Sequence, residues 1–170
     1  MSSARPRKKT APSTAPSDTP PTTATTAVDT CFLRTLVGYN TRRAALSIIE
    51  VFMERMAVYD LKVVDFSVLS LVAHNPGVTS RELCATLNVL PPNMVGLIAA
   101  LEKRGLIERR PHPSDGRAMG VHLTPAGIDL TAQAEQTAAQ LEEDATARLT
   151  ATERKTLIRL LQKIYLPAGA

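Results

Sequence analysis

Apolar positions recur every three or four residues in most of this chain, and every second residue in one short stretch. Phe32, Leu36, Tyr39, Arg43, Leu46, Ile49 and Met53 trace one stripe, which predicts a helix from Phe32 to about Tyr59. Val37, Ala44, Ile48, Val51, Phe52 and Met56 widen its apolar surface well beyond the ~100° that packing on a single core needs. Such a helix calls for a second partner. Asp65 is placed to cap a helix carrying Val68, Leu69, Leu71 and Val72, which stops before Asn75-Pro76-Gly77.

Thr79-Ser80-Arg81-Glu82 has the spacing of a capping box and opens a short helix that buries Leu83 and Leu87. Pro91-Pro92 begins the next helix, where a missing N–H costs nothing. Met94, Leu97, Ile98 and Leu101 form its inner side, and Gly105 terminates it. Ile107–Arg110 and Ala118–Leu123 are short extended runs around a tip at 111–116. In the second, Met119, Val121 and Leu123 alternate with Gly120 and His122. Thr124-Pro125 starts a helix running to about Ala147, and Thr150-Ala151-Thr152-Glu153 is a second capping box. The last helix carries Leu157, Leu160, Leu161 and Ile164 and ends before Pro167. Two helices, a hairpin and a new helix start between Leu83 and Gly127 are the order of a winged helix-turn-helix. The fold class is mainly α.

Composition agrees with one domain. The 170 residues include 44% hydrophobics, few aromatics and no tryptophan, which suits helix-on-helix packing. Residues 1–30 are a tail, basic at first and then built of Thr, Pro, Ala and Ser. A segment of that kind buries too little apolar surface to offset the entropy of ordering. No apolar run approaches the ~18 residues of a membrane span. No apolar stretch resembling a secretory signal follows the basic start, so the expected location is the cytoplasm. Cys31 and Cys84 are too few for a disulfide framework or a zinc site, and no metal or cofactor is implied.

Charge matters through its distribution. Arg5, Arg7, Lys8 and Lys9 account for the whole net surplus of +4. Lys103, Arg104, Arg109, Arg110 and Arg117 then cluster on the hairpin and its approach, against Glu108 and Asp115. Thr124 to Glu153 carries six acids and only Arg148. This polarity orients a chain on a polyanion. His74, His112 and His122 stand apart without nucleophile or metal spacing, which argues against an enzyme.

Three segments carry a family resemblance: Leu101-Glu102-Lys103-Arg104-Gly105-Leu106-Ile107-Glu108-Arg109, then Pro113-Ser114-Asp115-Gly116-Arg117, then Val121-His122-Leu123-Thr124-Pro125-Ala126-Gly127. In this order and spacing the chain resembles the MarR family of bacterial transcription regulators over roughly residues 32–166. The resemblance implies a single domain at 31–170, with a winged-helix lobe at 61–123 and dimerisation helices at 31–60 and 124–166. Phe32, Leu36, Leu157, Leu160, Leu161 and Ile164 would then lie in a homodimer interface. It also implies a repressor that leaves its DNA when a small aromatic acid binds.

By that resemblance the helix from about Leu90 to Lys103 enters the major groove, and Arg117, oriented by Asp115, enters the minor groove. Thr79, Ser80, Lys103, Arg109 and Arg110 would hold phosphates. The exposed stretch of the recognition helix is poor in polar groups. Asn93 alone has the bidentate chemistry for adenine, while Pro92 and Val95 suit thymine methyls. Direct readout should be thin, and a pseudo-palindromic double-stranded operator should be read largely by the wing and by DNA shape. Tyr39, Asn40 and Arg43 interrupt the first helix's apolar stripe and, with His74, are the candidates for an effector carboxylate. Two alternatives stand: redox sensing through Cys31, and a winged helix used as a protein-interaction module.

Overall fold

The computed structural model describes residues 28–112 and 115–167, with the backbone alone for residue 112 and for residues 115–118. The tail expected at 1–30 lies almost wholly outside the described residues. In order, the elements are α1 (Val37–Met56), α2 (Val63–His74), β1 (Val78–Thr79), α3 (Ser80–Leu87), α4 (Pro91–Lys103), β2 (Ile107–His112), β3 (Asp115–Leu123), α5 (Pro125–Ala145) and α6 (Ala151–Tyr165). Short 3-10 turns at Leu33–Thr35 and Ala57–Tyr59 flank α1. The chain is mainly helical with one small sheet, as its pattern predicts.

Three local expectations need correction, and one short strand was not expected. The first helix does not start at Phe32. Leu36 is extended, and the segment before it folds back as a 3-10 turn. The Asn40 amide fixes this hook by donating to the carbonyls of Arg34 and Leu36, each at 2.8 Å. Asp65 is not the cap of α2. It sits in the first turn, where its carboxylate accepts from the Lys62 N–H at 3.1 Å. The strands run further than alternation showed, because Pro111, His112 and Asp115–Arg117 continue the ladder across an irregularity at Pro111/His112. Finally, Val78–Thr79 pairs with β3, giving the order β1-β3-β2. Two residues are too short to show a period.

The core lies where α1, α2, α5 and the sheet meet α3 and α4. Met56, Val68, Leu69, Val72, Leu83, Met94, Leu101, Val121 and Leu141 are almost wholly buried. Phe52 and Phe66 meet edge to face with ring centroids 5.6 Å apart. The start of α5 is seated on the turn between α4 and β2. The Thr124 N–H donates to the Leu106 carbonyl at 3.0 Å, its hydroxyl donates to the Gly105 carbonyl at 2.6 Å, and the Gly127 N–H donates back to that hydroxyl oxygen at 3.0 Å. Gly127 lies directly on Leu106, leaving no room for a side chain. Gly105 has φ +69°, the left-handed conformation that ends α4 without a side-chain penalty.

The amphipathic ends of the chain are different. Among the described residues α6 buries none of its own. Its first turn is closed by the Thr150/Glu153 box, whose backbone bond holds the Glu153 carboxyl below the usual range. Arg154 ties it to Glu143 of α5 at 3.5 Å. No described helix is long and apolar enough to cross a membrane.

Candidate nucleic-acid interface

Helices α3 and α4 form the helix-turn-helix, joined through Asn88 in a left-handed turn (φ +50°). The predicted capping box is present at α3. Glu82 Oε2 accepts from the Thr79 N–H at 2.7 Å, and Thr79 Oγ1 accepts from the Glu82 N–H at 3.3 Å. A carboxylate therefore already occupies the positive end of α3, and a phosphate held near Thr79 and the exposed Ser80 has to bind beside it.

On α4 the inward face is Met94, Ile98 and Leu101, with Leu97 half-buried. At 100° per residue, Pro92, Gly96, Ala99 and Lys103 occupy the opposite side, flanked by Asn93 and Val95, and all six are exposed. Leu90, ahead of the first turn, is 69% exposed and Val95 62%. The outward surface of this helix is smooth and apolar, with Asn93 its one hydrogen-bonding side chain before Glu102 and Lys103.

The basic residues beyond α4 do not all face solvent alone. Arg109 makes two parallel bonds to Glu102, Nε to Oε1 at 2.8 Å and Nη2 to Oε2 at 2.7 Å. That carboxylate raises the Arg109 pKa above its ordinary value. Arg110 pairs with Glu108. Arg104 turns the other way, its Nη1 and Nη2 donating to the carbonyls of Asp60 and Tyr59 at 2.7 and 2.8 Å. Sequence reasoning missed this tie, because its acceptors are main-chain oxygens some 44 residues distant. Lys103 is exposed and has no ion-pair partner among the described residues. Asp115 and Arg117 lie in β3, and their side chains fall outside the described residues.

Of the four effector candidates, Tyr39, Asn40 and Arg43 lie on α1 and His74 ends α2. Tyr39 is half-buried and Arg43 exposed on α1, while the Asn40 amide is committed to the hook. His74 Nε2 lies 2.9 Å from Glu135 Oε1, which also accepts from Ser70 at 2.7 Å, so His74 helps fasten α2 to α5. A groove of about 510 Å³ between α1 and α5 is lined by Arg55, Gln136, Thr137, Ala139, Gln140 and Glu143. Cys31 is exposed just before the hook, its N–H donating to Asp29 at 2.8 Å, and Cys84 packs against the core.

Comparison with known proteins decides what this arrangement is. The family model described as MarR family matches residues 59–118. The structure of the transcriptional repressor CouR bound to a 23-mer DNA duplex is similar at TM-score 0.74 and 36% identity, covering 81% of this chain and 98% of that one. The chain belongs to the MarR family. As a MarR-family protein it is a winged helix-turn-helix transcription regulator that binds DNA and is not an enzyme. CouR bound to p-coumaroyl-CoA matches at the same TM-score, with 33% identity over 82% of this chain and 99% of that one. The Mycobacterium tuberculosis MarR-family protein Rv2887, in complex with salicylic acid, matches at TM-score 0.63 and 27% identity, over 76% and 96%. A provisionally named regulatory protein for the hcr operon of Thauera aromatica is 36% identical over 100 residues. That match spans 59% of this chain and 60% of the relative's length.

Proposed function

We propose that this MarR-family regulator is a homodimeric repressor that grips a pseudo-palindromic operator and lets go when an aromatic acid, free or as a thioester, binds. The observation that carries the reading is the uncovered apolar surface at the two ends of the described chain. Phe32 is 74% exposed and Ile164 68%, and Leu36, Leu157 and Leu160 are also exposed, with Leu161 half-buried. A helix of 15 residues is marginal alone in water, so α6 needs a partner for its apolar face. A second copy, clasped through 31–60 and 124–166, supplies one and sets two winged lobes side by side.

On DNA each α4 enters a major groove, with Asn93 bonding adenine and Pro92 and Val95 meeting thymine methyls. Lys103, Arg110 and the start of α3 at Thr79 and Ser80 lie along phosphates. Arg117, steadied by Asp115, reaches into the minor groove. For the effector, Arg43 is the partner for a free acid's carboxylate, with Tyr39 one turn before it on α1, near the dimer interface; Asn40 and His74 keep their structural bonds. The chemistry follows the ligands named for CouR and Rv2887. The site of action is chromosomal DNA in the cytoplasm.

The test is titration of the DNA upstream of the regulator's own gene by fluorescence anisotropy. Arg117→Ala should lower affinity at least tenfold with helix content unchanged. Arg43→Ala should bind DNA normally yet resist release by aromatic acids. Unchanged affinity in the first variant removes the wing from the mechanism, and normal release in the second removes Arg43 from the effector site.

A further inference from the structure

We propose that Arg109 is a positioning residue, whose paired bonds to Glu102 set the angle between recognition helix and wing, rather than a phosphate contact. The proposal rests on the reading that α4 and the wing engage one duplex together. Glu102 lies in the last turn of α4, beside the negative pole of the helix, where a carboxylate is unfavourable. It is also carried next to a surface meant to meet a polyanion. Both penalties are relieved only if a cation is held against it.

Arg109 does this in the strictest available form. Two parallel bonds at 2.8 and 2.7 Å fix direction as well as distance, which a single contact cannot do. They span the one link between α4 and β2, the turn through Arg104, Gly105 and Leu106, whose central residue is a left-handed glycine. The pair therefore braces the joint about which the wing would swing. Its charges cancel, so it adds nothing to the net attraction for DNA. With Arg110 paired to Glu108, and Arg104 directed at the carbonyls of Asp60 and Tyr59, fewer guanidinium groups of the basic cluster are unengaged than its sequence suggests.

Four variants of the full chain decide the matter: Arg109→Gln, Arg109→Lys, Glu102→Gln, and the exchange Glu102→Arg with Arg109→Glu. Operator affinity is measured over a range of salt, with thermal unfolding as the check on folding. Under the proposal all three single variants weaken binding, by roughly three- to tenfold. The exchange recovers affinity to within about twofold, and the slope of log K against log salt stays at the wild-type value. The Lys variant is informative because it keeps the charge and loses the fork. If Arg109 holds a phosphate, Arg109→Gln flattens the slope by about 0.9 per protomer and Arg109→Lys binds almost normally. In that case Glu102→Gln tightens binding by removing a negative charge, the exchange fails to recover affinity, and the proposal is overturned. Wild type that shows no salt-sensitive binding to the operator defeats the underlying reading instead, a result separable from either pattern.

Discussion

Replacing Gly127 by alanine tests whether the first turn of α5 is the clamp that holds the recognition helix and wing in place. A Cβ on Gly127 would stand 1.9 Å from the carbonyl oxygen of Leu106 and 2.9 Å from its carbonyl carbon. Those atoms are main chain, so no side chain can rotate away. Restoring ordinary contact moves α5 from the α4–β2 turn by more than an ångström. That displacement stretches the Thr124 bonds to Leu106 and Gly105, now 3.0 and 2.6 Å. Each is worth about 1 kcal/mol net. Forcing atoms into the packed region around Leu106 and Ile107, both buried, adds about 1–3 kcal/mol. The better helix propensity of alanine returns less than about 1 kcal/mol. A net loss of about 2–4 kcal/mol follows, a large share of the ~5–15 kcal/mol that folded domains possess.

Urea unfolding at fixed chain concentration measures it, since association contributes to the apparent stability. Gly96→Ala is the matched control. It lies inside α4 with nothing within 4 Å of its Cβ, and should stabilise by about 0.5–1 kcal/mol. A Gly127→Ala loss below about 1 kcal/mol, or equal responses from the two variants, would refute the reasoning.

Two further expectations follow from the site. Replacing thymine by uracil at the operator positions facing α4 should weaken binding by about fourfold per lost methyl, from ~0.8 kcal/mol for each buried carbon. Val95→Ala should reduce that sensitivity at the thymine Val95 meets while leaving the one facing Pro92, and an unmodified response at every position in the variant would deny Val95 the contact. Arg104→Ala should free the carbonyls of Tyr59 and Asp60 and speed amide hydrogen exchange both near residues 57–61 and at the end of α4. Exchange altered on one side alone would show that Arg104 does not couple them.

The helical framework was readable in the sequence because its signals are local. The capping boxes at Thr79 and Thr150, the proline starts at Pro91 and Pro125, and the glycine stop at Gly105 all recur where their spacing placed them. What escaped depends on distant partners. The Leu36 break is held by an amide reaching back along the chain, β1 exists only through its pairing with β3, and Arg104 finds main-chain acceptors across the fold. At the site the sequence revealed which side chains are basic, but not that Arg109, Arg110 and Arg104 are already engaged. Pairing over seven residues through a turn, as between Glu102 and Arg109, has no period to betray it.

The account's central claim is that two copies act together on one duplex. Sedimentation of the full chain mixed with its own upstream DNA at physiological salt measures this directly. Two chains per duplex, dissociating as salt rises, is the predicted result. One chain per duplex, or a duplex that sediments unchanged, would contradict it.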